Sequence, residues 1–310
     1  MRQTHRLATL ALLSSSRVST SFPSWKICCL WNGHKVKASR MSVTSYASKQ
    51  DDDALVSSKD FVLFHLSTTV DSTQDETKRI LTEIGCYESR LLAVIADDQT
   101  KGRGTGGRSW VAKRGNLFLT CAIPAEAIPI QQITLLPLGV GVLIAEQLAK
   151  YARLHPMVKW PNDVLLNDHK IAGTLIENHR VREQSWWLVG IGVNLESHPE
   201  QLSNDEEGLT KHIRSATCLR DHAVIEAEIP TAVELGVCLT SALVQLTKNL
   251  QTENYSSIVP SWKSWATMGT TYVIRKTGEE VRTVDIENDG QLRVIGRDGK
   301  ERLLVADYFY

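Results

Sequence analysis

The stretch QTKGRGTGGRSW, residues 99–110, decides between two folds. Gly102, Gly104 and Gly107 satisfy the G-x-G-x-x-G spacing of a dinucleotide-binding turn. Such a turn needs a strand before it and a helix directly after it, whose N-terminus holds a pyrophosphate. The strand is present as the apolar run at 91–96. Beyond the loop, however, the chain passes through Gly115 and Asn116 into LFLTCAI, residues 117–123, a second run of strand length. The helix is missing, and the nicotinamide dehydrogenase class falls with it. No Gly-Lys-Ser/Thr closes the glycine run, so a P-loop is excluded too. What remains is a glycine-permissive backbone bearing Arg103 and Arg108. It can close over a phosphate or a carboxylate, or be no more than a solvated turn with exposed arginines.

Around this loop the composition is that of a globular protein: 310 residues, 42% hydrophobic and 23% charged, with length for about two domains. Lys plus Arg and Asp plus Glu both number 35, but eight of the basic residues and none of the acidic ones fall within residues 1–50. The remainder is net acidic, which gives no support to nucleic-acid binding. Residues 1–50 are rich in Ser, Arg and Lys, the composition of an organelle transit peptide. Their apolar run at 7–13 falls short of the roughly 20 residues that cross a bilayer, and no small-residue cleavage site follows it. A mitochondrial or plastid address is expected, with the cytoplasm as the alternative for an untargeted extension, and no membrane partner. The six cysteines form no C-x-x-C pair, as expected of reduced thiols.

Residues 1–52 are expected to be a disordered leader and linker, 53–265 the main body, and 266–310 a small β-barrel. A helix fits 73–84: Thr73 can cap it with Glu76 completing a capping box, Ile80, Leu81 and Ile84 supply an apolar stripe, and Gly85 stops it. The longest periodic apolar segment, 133–152, predicts a buried helix despite Pro137. Strand-like pieces at 158–160, 164–166, 171–176 and 187–195 follow too closely for βαβ crossovers and predict antiparallel pairing. A helix at 232–250 and a Trp-bearing segment at 255–265 precede four short strands at 272–276, 281–286, 292–295 and 302–305. Thr277-Gly278, Asp289-Gly290 and Asp298-Gly299 turns punctuate them. The fold class is α/β (α+β), with a mixed, mainly antiparallel sheet and packed helices.

Three further patterns carry candidate chemistry, each beside a plainer reading. KWPNDVLL, 159–166, gathers Lys159, Asn162 and Asp163 at one strand end, suited to a nucleotide phosphate and its Mg²⁺, or to a turn alone. In KIAGTLIE, 170–177, Lys170 precedes a strand containing Gly173, which either admits a close approach or sits beside a solubilising edge lysine. In GIGVNL, 190–195, Asn194 is out of place in an apolar strand and must find partners in the core or in a ligand. The nine histidines form no H-E-x-x-H or Cys/His cluster and no G-x-S-x-G elbow occurs, so zinc and serine hydrolases lack support. His169 reads as a turn residue rather than a base.

Together, GRGTGGRSW, KWPND, KIAGTLIE and GIGVN, in this order and spacing, resemble the biotin protein ligases, called holocarboxylase synthetases in eukaryotes. That family's hallmarks are a loop close to GRGRRGRxW, then KWPND, KxxGxLxE and GxGxN. The likeness reaches upstream to Asp71-Ser72-Thr73, similar to the family's D-S-T-N, and downstream to Tyr255 and Trp262, covering about residues 61–310. The resemblance implies a class II synthetase-like catalytic fold with a small C-terminal Src-homology-3-like barrel. It also implies an enzyme that joins biotin and ATP as biotinyl-5′-adenylate and passes biotin to one lysine of a carboxylase's biotin carboxyl-carrier domain. By the same resemblance Ser72, Thr73, Gln74, Gln99, Gly102, Arg103, Gly104, Thr105, Lys170 and Gly173 surround biotin. Arg108, Trp110, Lys159, Asn162, Asp163 and Asn194 bind ATP, with Trp110 stacked on adenine, and Lys170, Arg103 and Lys159 are the catalytic cations. Mg²⁺ would arrive mainly on the ATP phosphates, with Asp163 as the protein carboxylate able to join it. A monomer or weak homodimer is expected. A lipoate ligase or octanoyl transferase shares the fold but is not expected to contain KWPND, and a silent biotin-binding protein would not require the full cationic set.

The chain departs from the family pattern at Thr105 and Gly106, where basic residues are frequent, and at Gln74, where Asn is usual. A less cationic loop should hold the adenylate less tightly, since a charge-assisted hydrogen bond is worth about 1.5–3 kcal/mol. Thr105→Arg is therefore expected to slow release of free biotinyl-adenylate, followed by chromatography of the released nucleotide; unchanged retention overturns the idea.

Overall fold

The computed structural model of the chain describes residues 59–84, 90–152, 155–199, 215–223, 229–274 and 277–306, and before them the backbone of four short strands. Of these, β1 (Cys29–Trp31) and β2 (His34–Val36) pair with each other, while β3 (Ser42–Ser45) and β4 (Ala54–Ser57) begin the main sheet. The rest of the expected leader and linker, and the expected stop at Gly85, lie outside the described residues.

The main sheet continues with β5 (Phe61–Val70), β6 (Leu91–Gln99), β7 (Leu117–Pro124), β8 (Met157–Lys159), β9 (Asp163–Leu166), β10 (His169–Val181) and β11 (Gln184–Val193). Their order is β3-β4-β5-β6-β7-β11-β10-β9-β8. The β5–β6 pair is parallel and the other described pairs are antiparallel, as the short spacings required. Strict alternation assigns each strand residue to one face. Phe61, Leu63, Ala93, Ile95, Leu117, Leu119, Cys121, Val189, Ile191 and Val193 share the large core with the helices α2 (Leu136–Leu148), α3 (Ala232–Gln251) and α4 (Ile258–Trp265). On the opposite face Val62, Phe64, Leu92, Val94, Ala122 and Leu188 pack with Ile80 and Leu81 of α1 (Thr73–Ile84). Helix α1 covers only part of that face, and the part it leaves bare is where the cleft lies.

Two local expectations are corrected. The cap of α1 is Ser72, not Thr73: Ser72 Oγ accepts the Asp75 amide at 3.1 Å and donates to the Asp75 carboxylate at 3.0 Å, while Glu76 N bonds the Ser72 carbonyl at 3.0 Å. The Thr73 hydroxyl is instead engaged by Thr120 Oγ1 of β7 at 2.9 Å, and Glu76 pairs with Arg79. The segment 133–152 is not one helix. A 3₁₀ stretch (Ile130–Leu135) precedes α2, which starts where Pro137, having no N–H, fits the first turn and ends at Leu148. By length and hydropathy 130–148 could cross a membrane, yet here it is mostly buried inside the protein.

The C-terminal unit is an antiparallel sheet in chain order, β12 (Thr271–Val273), β13 (Glu280–Ile286), β14 (Leu292–Gly296) and β15 (Glu301–Leu304). The β13–β14 turn seats it on the main body. Thr134 Oγ1 donates to the Asp289 carbonyl at 2.7 Å, and Trp160 Nε1 donates to that of Gly290 at 3.0 Å.

Asn116, at the mouth of β7, ties the sheet to the chain leaving β11. Its Oδ1 accepts the amides of Leu195, Glu196 and Ser197 at 2.8, 2.9 and 3.3 Å, and its Nδ2 donates to the Ser197 carbonyl at 2.9 Å. Asn116→Ala should destabilise the fold by about 2–3 kcal/mol, because buried amides lose their acceptor. Denaturant unfolding measures this, and a loss below about 0.5 kcal/mol contradicts the assignment.

Candidate active site

The motif GIGVN makes sense as alternation. Ile191 and Val193 point into the helix-covered core, so Gly190, Gly192 and Asn194 face the opposite side, within about 13 Å of strand. β10 answers across the ladder, with Gly173 opposite Gly192 and Leu175 opposite Gly190. The result is a floor of bare backbone beneath an open cleft of about 1520 Å³. What stands on the floor explains the glycines. A Cβ on Gly192 would meet the Trp110 indole at 2.5 Å, one on Gly173 would meet Lys170 Nζ at 3.0 Å and Trp110 at 3.3 Å, and one on Gly190 would meet Gln74 Nε2 at 2.9 Å.

The loop 99–110 is the roof. It folds as a narrow ribbon: Gly104 N donates to the Arg108 carbonyl at 2.7 Å and Trp110 N to that of Gly102 at 2.9 Å. Gly106 and Gly107 make the tip turn with φ of 67° and 75°, the left-handed region that glycine enters without strain. Gly102 admits Gln99 and the Trp110 carbonyl, which a Cβ would strike at 2.5 and 2.4 Å. No helix follows the loop; the chain enters β7 at Leu117.

At one end of the cleft Ser72, Thr73, Gln74 and Gln99 converge. Gln99 Oε1 accepts the Thr73 amide at 3.3 Å and Gln74 Nε2 donates to the Leu175 carbonyl at 3.2 Å. At this end of the cleft two buried atoms have no protein partner, the acceptor Gln74 Oε1 and the donor Trp110 Nε1; Thr174 Oγ1 and Asn194 Oδ1 are also unpartnered along the lining. Buried polar atoms are normally paired, so this pocket asks for a ligand offering both an N–H and an acceptor.

At the centre Lys170 Nζ lies 2.5 Å from the Asp163 carboxylate and 5.5 Å from the centre of a Trp110 ring. Burial pushes the Asp163 carboxyl up, but Lys170, Lys159 and Arg108 outweigh it and hold the group below the usual carboxylate range. Asn162 fixes the KWPND turn to β10, donating from Nδ2 to the Thr174 carbonyl at 2.6 Å and accepting the Thr174 amide on its own carbonyl at 3.1 Å. Farther along, Asn194 Nδ2 donates to the Thr217 carbonyl at 3.0 Å while its Oδ1 stays unpartnered. The 215–219 segment runs beside Lys170, whose amide bonds the Ser215 carbonyl and whose carbonyl accepts the Thr217 amide. His169, expected in a turn, is instead the first residue of β10, where its Nδ1 contacts Ser215 Oγ.

Of the residues expected at the site, all but Gly102 line this cleft, though not always in the expected posture. Arg103 lines the mouth with its guanidinium bonded to Asp75 at 2.6 Å and Glu177 at 3.3 Å. Arg108 turns back on its own loop, donating to the Thr105 hydroxyl at 2.6 Å and the Thr105 carbonyl at 2.9 Å. Trp110, assigned to adenine by resemblance, lies between the Gln74 end and Lys170. Asp75 and Glu177 were missed, because they meet Arg103 across 28 and 74 residues of sequence. Tyr272 was missed as well; its ring lies 5.0 Å from Lys159 Nζ, bringing the C-terminal sheet into the cleft wall.

Residues 68–194 match the family model described as biotin/lipoate A/B protein ligase family. The biotin--[acetyl-CoA-carboxylase] ligase of Paracoccus denitrificans is 30% identical over 223 residues, covering 70% of this chain and 89% of its own length. The bifunctional ligase/repressor BirA of Bacillus subtilis is 26% identical over 244 residues, covering 76% of this chain and 70% of its own. In fold, the chain is similar to a biotin protein ligase from Aquifex aeolicus solved with biotin and ATP (TM-score 0.62, 22% identity, 81% of this chain and 97% of that one).

The central ion pair has a measurable pH signature. A carboxyl held below its unfolded value contributes stability that is full above the ordinary aspartate range and is lost as pH falls through the folded value. In Lys170→Met the Asp163 carboxyl should rise, so the gain in unfolding free energy from about pH 2 to about pH 6 should shrink relative to the unmodified chain. Denaturant titrations at the two pH values test this, and an equal or larger gain refutes it.

Proposed function

The chain belongs to the biotin/lipoate A/B protein ligase family, and from that premise we propose that its cleft joins biotin to ATP and hands the biotinyl group to a lysine of a carboxylase carrier domain. The observation that carries this reading is the position of Lys170. Its ammonium stands between a pocket with unmet hydrogen bonds at Gln74 and Trp110 and a cationic half holding Lys159 and Arg108. A biotin carboxylate and the α-phosphate of ATP would repel each other if brought together uncompensated, and fixed cations offset that charge as it is concentrated.

In the first step a biotin carboxylate oxygen forms a bond to the α-phosphorus of ATP as the bond to the bridging oxygen breaks, giving biotinyl-5′-adenylate and diphosphate. No protein nucleophile is required. Asp163 aims the Lys170 ammonium; Lys159 and Arg108 supply the flanking positive charge. In the second step a neutral lysine amine of the carrier domain forms an amide with the biotinyl carbonyl carbon, AMP departs with the bonding pair, and the amine sheds a proton. The loop 99–110 keeps water from the reactive mixed anhydride.

The head pocket favours biotin over lipoate. A ureido ring offers N–H donors to Gln74 Oε1 and a carbonyl to Trp110 Nε1, whereas a dithiolane offers neither and leaves each atom unpaired at about 1–3 kcal/mol. Mg²⁺ would travel with the ATP phosphates. Among the described residues, the carboxylates lining the cleft are Asp163, already paired with Lys170, and Asp168, which together make no cage for a bare ion. Residues 1–50 add a proposed mitochondrial or plastid address.

Full-length chain incubated with ATP, Mg²⁺, a carrier domain and either biotin or lipoate, read by intact mass, tests the reading. Biotin addition is expected, reduced about a hundredfold or more in Lys170→Ala. Lipoate addition instead, or no addition with either acid, overturns it.

A further inference from the structure

Where the chain leaves β11 it meets the segment 215–223, and three side chains that play no part in the cleft chemistry converge there: His198, Cys218 and Asp221. Their ligand atoms all lie within 4.8 Å of one another. His198 Nε2 is 3.4 Å from Asp221 Oδ2. His198 Nδ1 lies 3.1 Å from the Pro199 carbonyl, so a proton on Nδ1 leaves the Nε2 lone pair aimed at the other two groups. Holding the second ring nitrogen on a carbonyl is how metal-binding histidines are oriented.

We propose that His198, Cys218 and Asp221 form a binding site for a zinc-class divalent cation, separate from the nucleotide chemistry. The geometry fits a tetrahedral ion. Zinc distances of about 2.0–2.1 Å to nitrogen and oxygen place those two ligand atoms about 3.3 Å apart, close to the 3.4 Å observed. The sulfur, at about 2.3 Å from the ion, would stand about 3.5 Å from each, a closure of little more than 1 Å from the outer limit of the cluster. A water would complete the set. Mg²⁺ and Ca²⁺ fit poorly, because two of three donors are imidazole and thiol. The ion has a route from solvent, since His198 and Asp221 are about one third and one half exposed. The cation of the same turn, Arg220, does not oppose it: its Nε donates to Glu196 at 2.6 Å.

A cysteine that becomes a metal ligand gives up its thiol proton. Binding therefore forms a metal–sulfur bond and expels one proton to solvent. The site also abuts the cleft. Thr217, next to Cys218, holds Asn194 Nδ2 at 3.0 Å, and Thr217 Oγ1 lies 2.7 Å from His222 Nε2. An ion that fixes this turn fixes the segment bracing Asn194.

The test is metal binding to the chelator-treated full-length chain, using Co²⁺ as the optical probe and Zn²⁺ as its competitor, with no biotin or ATP present. One Co²⁺ per chain is expected, with a thiolate-to-cobalt absorption band, displacement by Zn²⁺ and release of one proton. The band should vanish in Cys218→Ser, and affinity should fall about tenfold or more in Asp221→Asn and His198→Gln. Circular dichroism of each variant without metal establishes that it is folded. Absence of saturable binding, or equal binding in folded Cys218→Ser, overturns the site. Because no step requires ligase activity, failure here is distinct from failure of the proposed reaction.

Discussion

Ile191 and Val193 are locked among helix side chains on one face of β11, and by the two-residue period of a strand Gly190, Gly192 and Asn194 are committed to the other. Core and cleft are therefore two sides of one register. A slip by one residue would bury Asn194 without its partners and push isoleucine and valine into the cleft. Asn116 strengthens the commitment by gripping the three amides that follow the strand. The cleft floor is thus backed by the large core shared with the helices, and the loop 99–110 stands above it.

Electrostatics divides the site into an inner and an outer set. Inside, the Asp163 carboxylate is faced by the three cations Lys170, Lys159 and Arg108. Outside, Arg103 and Lys78 meet Asp75 and Glu177 in a balanced cluster at the mouth. The inner ion pair resists solvent because it is mostly buried. The outer one is part-exposed, screened by salt and correspondingly easier to rearrange. Arginines of one loop thus serve two purposes: Arg103 tethers the loop to the body, and Arg108 braces its tip through Thr105.

Much of this was legible in the sequence, and the reasons for success and failure are physical. The strands at 91–96, 117–123 and 187–195 follow from apolar runs of strand length, and helix 232–250 from its periodicity, observed as Ala232–Gln251 with Thr231 and Glu234 forming a capping box. The motifs meet along one cleft because each fixes local backbone: a bare floor, a strand end, a glycine tip. What failed depends on partners distant in sequence. Whether Ser72 or Thr73 caps α1 turns on where Thr120 sits across the sheet. The 3₁₀ start before α2 has the same apolar composition as a helix, so periodicity overran it. Arg103 could be recognised as a cation, but not as one already paired. The histidines and cysteines read as scattered because His198 and Cys218 meet only when β11 and the segment 215–223 come together.

The indole of Trp110 lies close against Gly173 and Gly192 with an ammonium 5.5 Å from a ring centre. Its excited state therefore sits in a field set by the same charge that the chemistry must neutralise. An anion arriving at Lys170 offsets the field of that nearest source, while a neutral ring entering beside Gln74 alters only the local polarity. The chain carries within its own fluorescence a means of telling occupation of the cleft from the change in charge that accompanies bond formation.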